Sequence, residues 1–193
     1  MSENFTIPIT RPTPQFSQPA DQPKPTQTQY PSEVIDLPSE GHFYSANSPL
    51  SNGSVDMKLM TAKEEDILMN QNLIKKGIVL DKLLENLIVD KNVKLDDLLL
   101  CDKNALYMAA RRLAYGDSYG PVQIRCQKCY EESKETINLG ELKEKPYEFD
   151  RILKGANTFQ FTLPYSKKTV IFKLLSSKDE VDIDNELKAT AKF

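Results

Sequence analysis

Most large apolar residues of this chain lie between positions 55 and 116, where their spacing changes from alternating to helical. Residues 55–60 alternate apolar and polar side chains, which is typical of a half-buried strand. Thr61 and Glu64 then have the spacing of a capping box, in which each side chain accepts the backbone N–H of the other residue. We therefore predict a helix that begins at Thr61 and ends before Gly77, a residue suited to the left-handed position after a helix.

Two more helices are predicted in the same stretch. The first covers about residues 80–89, and its apolar face is formed by Leu80, Leu83, Leu84, Leu87 and Ile88. The second runs from Lys103 to about Tyr115, with Asp102 as its N-cap and Gly116 at its end. Its inward-facing residues are Ala105, Leu106, Ala109, Ala110 and Leu113. These elements make up a predicted helical block over residues 55–116.

After Gly116 the pattern changes to strands. A first hairpin is predicted over residues 121–139, with the segment Cys-Gln-Lys-Cys at its turn. Residues 158–193 predict a second hairpin followed by a terminal helix, for which Ser177 and Glu180 provide a capping box. This helix is still amphipathic at the last residue of the sequence. We expect either that it continues in a longer chain or that packing on a partner completes it.

The first 31 residues differ in composition from the rest. They contain seven of the twelve prolines, among Thr, Gln and Ser. Such a segment cannot bury enough apolar surface to offset its ordering entropy, so we predict a disordered arm over residues 1–31. A short extended segment is predicted for residues 34–38. Residues 32–193 are ample for a single domain, and the predicted fold class is α+β: a helical block packed with two β-hairpins and preceded by the arm.

Charge and cysteine content argue against several classes of protein. The net charge is −3 and the lysines and arginines are scattered, whereas a nucleic-acid-binding protein usually has a basic patch. No apolar run approaches the ~20 residues of a membrane-spanning helix, and the first residues do not resemble a secretory signal. Three cysteines, an odd number, argue against a disulfide framework and favour a reducing compartment.

The sharpest candidate for chemistry is the pair Cys126 and Cys129, because a CxxC on a hairpin turn has the form of half a zinc knuckle. A structural zinc site takes four protein ligands, and only Cys101 and His42 remain as cysteine or histidine. We expect Cys101 to be a core residue and His42 to have a surface or packing role rather than to bind a metal. The prediction is therefore a structural hairpin with no metal and no cofactor. A zinc site shared between chains stays open as an alternative, and a redox role is disfavoured because this CxxC does not open a helix.

The remaining residues predict a binding protein rather than an enzyme. Nothing near His42, the single histidine, resembles an activated nucleophile. The acidic clusters at residues 64–66 and 96–97 fit helix capping better than metal binding. Tyrosine is favoured at interfaces because its body is apolar and its tip is polar. The predicted partner-binding residues are Phe43, Tyr44, Tyr115 and Tyr119. For Tyr115 and Tyr119, packing at the junction of helix and hairpin is an equal alternative.

Three separated motifs resemble one known family. They are residues 36–44 (DLPSEGHFY), residues 60–68 (MTAKEEDIL) and residues 102–116, which begin DKNA and end AYG. In this order, and followed by the CxxC hairpin, they resemble the T4-type bacteriophage baseplate protein family over about residues 34–142. The resemblance implies a role in building the hub and central spike region of a contractile tail, and it implies no catalytic residue.

The combined expectation is a non-enzymatic phage tail morphogenesis protein that binds baseplate hub proteins and promotes assembly of the hub and central spike. Two alternatives stay open: a permanent structural subunit of the baseplate hub, and a zinc-stabilised adaptor module. The expected partners are other baseplate and hub proteins, not nucleic acid or a membrane. We expect the protein to act in the host cytoplasm during assembly, with the virion baseplate as an alternative location. The sequence makes no prediction about self-association.

Overall fold

The computed structural model describes residues 31–143, 145, 147–149 and 152–191. These residues form five α-helices and three two-stranded antiparallel hairpins, which confirms the predicted α+β class. The predicted arm, residues 1–31, lies outside the described residues apart from Pro31. Among the described helices, none is both long enough and apolar enough to span a membrane.

The first hairpin pairs β1 (Ser32–Asp36) with β2 (Ser54–Lys58), in a register that places Ile35 opposite Val55. The strand predicted for residues 55–60 is present as far as Lys58, with Val55 and Met57 buried, whereas residues 59 and 60 lie outside it. The pairing of β1 with β2 across a long loop is an addition to the two predicted hairpins. Gly41 and Gly53 let two parts of this loop approach each other closely. A Cβ on Gly41 would lie 2.6 Å from the carbonyl oxygen of Ser51, and a Cβ on Gly53 would lie 2.8 Å from the carbonyl oxygen of Glu40, so no larger residue fits at either position.

The helix predicted from Thr61 to Gly77 is two helices, α1 (Ala62–Met69) and α2 (Gln71–Lys76). Asn70 leaves helical geometry between them, and its Oδ1 accepts the backbone N–H groups of Asn72 and Leu73, which caps α2. The predicted capping box is present at the start of α1. The backbone N–H and the hydroxyl of Thr61 both donate to the Glu64 carboxylate, which also pairs with Lys58 at 2.7 Å and is fully buried.

The next helix, α3 (Val79–Leu87), buries the centre of the predicted apolar stripe. Leu83, Leu84 and Leu87 are buried, as is Ile88 just after the helix. Leu80 is 47% exposed, so the buried face of the helix begins at Leu83, one turn later than predicted. Ile88 also forms an isolated antiparallel bridge with Met57, which attaches the end of α3 to the first hairpin.

The longest helix, α4 (Leu100–Tyr115), begins three residues earlier than predicted. Asp102 is therefore not its N-cap: it lies in the first turn of the helix, fully buried, and accepts hydrogen bonds from a distant turn. Cys101, predicted as a core residue, is exposed. The Asp102 prediction assumed that the helix starts after this residue. The Cys101 prediction extended the run of leucines at 98–100 by one position, but within α4 Cys101 faces outward while Leu98 and Leu99 are buried.

The second half of the described chain contains the two predicted hairpins and the terminal helix. One hairpin pairs β3 (Ser118–Arg125) with β4 (Glu132–Asn138), and the other pairs β5 (Phe159–Thr162) with β6 (Thr169–Phe172). They are followed by α5 (Ser177–Thr190), whose capping box starts one residue earlier than predicted, at Ser176 with Asp179.

The hydrophobic core lies almost entirely before residue 116. It joins the first hairpin and its loop to the inner faces of α3 and α4, with Leu37, Leu50, Met57, Leu84, Leu98 and Leu106 among its most buried members. Of the described residues after 116, only Leu139 and Ser177 are buried. The first half therefore forms a packed body, and the second half presents its side chains to solvent.

Candidate partner-binding surface

A buried polar cluster fixes the turn that follows β1. The carboxylate of Asp102 accepts the Ser39 backbone N–H at 3.0 Å, the Ser39 hydroxyl at 2.7 Å and the Tyr44 hydroxyl. The Tyr44 hydroxyl oxygen in turn accepts the Leu99 backbone N–H at 3.0 Å. Ser39, Tyr44 and Asp102 are all buried, and a buried polar group needs such partners to offset its lost hydration.

Tyr44 therefore occupies the core rather than a partner-binding surface. Its side chain is 7% exposed, and this corrects the expectation that it is available to a partner. Burial, reinforced by the hydrogen bond to Asp102, raises the pKa of the Tyr44 hydroxyl well above its usual range. The hydroxyl stays protonated and acts as a structural donor.

The same turn places Phe43 against the β5–β6 hairpin. The Phe43 ring contacts Phe149 edge-to-face at 5.7 Å and Phe159 of β5 at 6.0 Å. His42 stacks on Phe149 at 5.1 Å, and its Nε2 lies 2.7 Å from the carbonyl oxygen of Ile152. Of the surface and packing roles expected for His42, the structure therefore shows packing. Phe43 is half-buried beneath these rings.

One face of the β5–β6 hairpin extends this aromatic packing into solvent. Phe159 pairs with Phe172 and Phe161 pairs with Val170, and directly opposed and alternate residues share a face. We call these four side chains the apolar hairpin face. Phe159 and Phe172 stack at 5.4 Å, yet Phe172 is 51% exposed and Phe161 55%. An isolated two-stranded hairpin is marginally stable in water, so this face is suited to being covered by another surface.

The terminal helix is anchored at its start and uncovered along its length. The Leu100 N–H donates to the carbonyl of Leu175 and the Ser177 N–H donates to that of Leu98, at 3.0 and 2.8 Å. Beyond this attachment, the large apolar side chains of α5 are exposed: Val181, Ile183 and Leu187. Between them lie Asp182, Asp184 and Glu186, so the surface of α5 is both apolar and acidic.

Lys103 joins α5 to α3 and α4 through charge. Its ammonium group lies 2.8 Å from Asp81 and 3.6 Å from Glu180, and it donates to the Ser177 hydroxyl at 2.9 Å. Burial pushes the pKa of Asp81 upwards, but hydrogen bonds from Lys103 and Tyr107 outweigh it, so the net pKa is below its usual value. Lys103 itself is 6% exposed and sits almost entirely inside this junction.

A second exposed aromatic group lies where α4 meets β3. The guanidinium of Arg111 is 4.9 Å from the ring centre of Tyr115 and 5.8 Å from that of Tyr119, and it donates to the carbonyls of Gly116 and Ser118. Both tyrosines, predicted to bind a partner, are about half exposed. A planar cation close to two aromatic rings gives a surface with both apolar and polar character.

Cys101 lies on a different element from the other two cysteines. Cys126 and Cys129 are exposed at the turn between β3 and β4, whereas Cys101 lies on α4. Although Cys101 is exposed as a residue, the protein around its sulfur partly desolvates the thiol, and this, together with the nearby Asp102 carboxylate, raises the pKa of Cys101 to about 11. Over the described part of the chain, no three His, Cys, Asp or Glu residues are grouped so that they could hold a metal ion.

These features define a protein with a packed N-terminal body and uncovered C-terminal elements. A family model described as T4 bacteriophage base plate protein matches residues 34–192, and the chain belongs to this family. The match extends beyond the region of resemblance in the sequence and includes the C-terminal hairpin and α5. The family supports a structural or assembly role in the phage baseplate. Neither the curated proteins nor the solved structures that were compared with the chain gave a match.

Proposed function

We propose that this protein is a non-enzymatic tail morphogenesis factor that binds baseplate hub proteins and promotes assembly of the hub and central spike. The observation that carries the proposal is the contrast between the two halves of the fold. The body before residue 116 contains its own core, whereas the apolar hairpin face and α5 expose large apolar side chains. Elements of this kind are stabilised when another protein covers them.

The body holds the binding elements in a defined geometry. The Asp102 cluster fixes the turn that carries Phe43, and Phe43 contacts the base of the apolar hairpin face. Lys103 and the backbone pairing at Leu100 fix the start of α5. Preorganised elements lose less conformational entropy on binding than flexible ones. A hub protein that covers them would need apolar residues beside basic residues, because α5 is acidic.

The predicted arm over residues 1–31 and the exposed Tyr115 and Tyr119 supply further contacts in this proposal. The arm would tether a second partner, and the Tyr115–Arg111–Tyr119 group would contribute a rigid polar and aromatic patch. Removal of residues 1–30 is expected to leave the thermal transition of the body unchanged and to weaken partner capture. Unfolding of the body after this deletion would contradict the proposal that the arm serves only to tether a partner.

A permanent structural subunit of the baseplate hub is the second candidate function, and the same exposed elements support it. Virion composition separates the two. An assembly factor would be found in hub intermediates from infected cells and would be missing from purified virions, whereas a subunit would be present in virions in a fixed ratio to other baseplate proteins. Quantitative mass spectrometry of both samples makes this distinction. Absence from virions and from hub intermediates alike would contradict both candidates.

A further inference from the structure

The outer edge of β1 carries backbone groups that have no strand partner. The Leu37 N–H donates to the carbonyl of Gly53 and the Leu59 N–H donates to that of Pro31, at 2.8 and 3.0 Å. These bonds fix the alternation of the ladder, because bonded and non-bonded pairs alternate along two antiparallel strands. Among the described residues no second strand pairs with β1, so its outward groups are unpaired. The residues that direct N–H and C=O away from β2 are Ser32, Val34 and Asp36.

An apolar groove lies beside this edge, between β1 and α4. Its volume is about 410 Å³, and α4 contributes Ala105 and Ala109, whose small side chains leave room for larger ones. Apolar side chains around the groove are exposed: Val34 is 65% exposed, Leu142 59% and Met108 38%. An unpaired strand edge beside apolar pockets is the kind of site at which an extended segment adds as a further strand. The segment gains main-chain hydrogen bonds and buries alternate side chains.

The start of the sequence contains a segment with the pattern of such a strand. Phe5, Ile7 and Ile9 are separated by Thr6 and Pro8, which is the two-residue period of a strand with one apolar face. Elsewhere before β1 the large apolar residues stand singly among proline, threonine and glutamine. The three apolar residues therefore form the one group in the predicted arm that can fill a groove from one side.

We infer that residues 5–9 add to the unpaired edge of β1 as a third strand, parallel to β1 and within the same chain. The side chains of Phe5, Ile7 and Ile9 enter the groove against α4. This inference goes beyond the proposed function, in which the arm only tethers a partner, and it does not depend on that function. Residues 10–30 are left to act as the tether.

Pro8 selects the parallel direction. Proline has no N–H, so within a sheet it fits only where that group would point away from the neighbouring strand. In a parallel pair, the residues that bond to β1 are those aligned with Glu33 and Ile35, and Ile35 faces the core and the groove. The apolar residues of the segment then bond to β1 and fill the groove together, while Pro8 faces outward. In an antiparallel pair, apolar residues in the groove would put Pro8 at a bonding position.

The connection has the length that this arrangement requires. A parallel pair needs a crossover of about a dozen residues or more, and residues 10–31 provide it. A flexible connection holds its two ends at ~mM effective concentration, so even a weak contact forms within one chain. Three side chains in an open groove separate from it before the body unfolds on heating. Removal of residues 1–30 therefore still leaves the thermal transition of the body unchanged.

The test is residue-specific amide hydrogen exchange of the full chain, followed by NMR. The Val34 and Asp36 N–H groups should exchange at least ~10-fold more slowly than in a chain that lacks residues 1–10, because the added strand accepts both. Ile7→Asn should abolish this protection, since a polar side chain does not fill the groove. Thr6→Asn, on the opposite face of the same segment, is the matched control and should retain it.

A variant of the groove tests the same contact from the other side. Leu142→Asn should also remove the protection of Val34 and Asp36. Leu142 is exposed, so the thermal transition of this variant should equal that of the parent chain. In nuclear Overhauser spectra of the parent chain, Ile9 should lie nearer to Pro38 than Phe5 does, because a parallel segment runs in the direction of β1.

Each other outcome overturns the inference. Equal exchange at Val34 and Asp36 with and without residues 1–10 shows that the arm does not bind the groove, which is then open to a segment of another protein. Protection that disappears on dilution, together with a dimer in light scattering, shows that the arm of a second copy binds instead. Equal loss of protection in the Thr6→Asn and Ile7→Asn variants shows that the apolar alternation is irrelevant. Phe5 nearer to Pro38 than Ile9 shows an antiparallel strand.

Discussion

The Tyr44 hydroxyl donates a hydrogen bond to Oδ2 of Asp102, and this contact joins the turn after β1 to the first turn of α4 across 58 residues of sequence. The same carboxylate accepts two hydrogen bonds from Ser39. The turn carries Phe43, which contacts the β5–β6 hairpin. A carboxylate buried in the core thus fixes the turn from which Phe43 contacts the partly exposed β5–β6 hairpin.

The first prediction concerns the Asp102 carboxylate. Asp102→Asn keeps the shape of the side chain but replaces an acceptor oxygen with an NH₂ donor that faces other donors. Leaving buried donors unsatisfied costs about 1–3 kcal/mol for each group, so we expect the free energy of unfolding to fall by about 2–3 kcal/mol in chemical denaturation. Asp96→Asn, on an exposed 3₁₀ turn, is the matched control and should change it by less than ~0.5 kcal/mol. Equal effects at both positions would contradict the role of the cluster.

The second prediction concerns acid stability and Glu64. Burial alone would raise its pKa, but hydrogen bonds from Lys58 and Thr61 dominate and lower it from 4.5 to about 2. Between these pH values the unfolded chain binds more protons than the folded one. The contribution of Glu64 to the free energy of unfolding is therefore fully present above about pH 4.5 and is lost as pH decreases towards 2.

Glu64→Gln removes this titration. We expect the variant to be less stable than the parent chain at pH 7, by about 1–2 kcal/mol, and to lose less stability between pH 5 and 2. The pKa values of Asp81 and Asp179 are also lowered, so a smaller acid-dependent loss should remain. Denaturation midpoints measured across this pH range test the prediction. Parallel pH profiles for the variant and the parent chain would show that Glu64 does not contribute.

The third prediction concerns the junction of α3, α4 and α5. Lys103→Met removes the cation that pairs with Asp81 and Glu180. Breaking a buried pair costs about 3–5 kcal/mol, and because Asp81 is partly exposed we expect a smaller loss of about 2 kcal/mol. Lys82→Met is the matched control, since Lys82 and Glu85 form an exposed pair worth less than ~1 kcal/mol. Hydrogen exchange should accelerate in the first turn of α5 in the Lys103 variant alone. Unchanged protection there would contradict the claim that Lys103 holds the start of α5 against α3 and α4.

The fourth prediction concerns the apolar hairpin face. Phe161→Ser combined with Val170→Thr makes one cross-strand pair polar while threonine retains a preference for strands. Both side chains are exposed, so the thermal transition of the body should change little. In phage that lack the gene, the double variant should fail to restore plaque formation. Tyr165→Ser, at the fully exposed turn of the same hairpin, should restore it. Full complementation by the double variant would exclude this face as a binding element.

Local sequence patterns predicted the elements whose signals are short-range. The β3–β4 and β5–β6 hairpins, the buried centre of α3 and the capping box at Glu64 are all present. The start of α5 was predicted within one residue. In each of these cases the determining residues lie within a few positions of one another, so periodicity and capping chemistry suffice.

The errors arose where long-range contacts decide the structure. Asp102 looked like a helix cap because aspartate before an apolar helix usually is one, but its partners Ser39 and Tyr44 are far away in sequence. The same contact buried Tyr44, which had looked like an interface residue. The break at Asn70 is a local signal that the prediction missed, since asparagine is a good N-cap and begins α2 there.

The most direct test of the central claim is affinity capture of the tagged full chain from phage-infected cells, with identification of the captured proteins by mass spectrometry. The account predicts enrichment of baseplate hub proteins over other abundant tail and capsid proteins, and loss of that enrichment with the Phe161→Ser, Val170→Thr variant. Capture of no baseplate protein by the folded parent chain would contradict it.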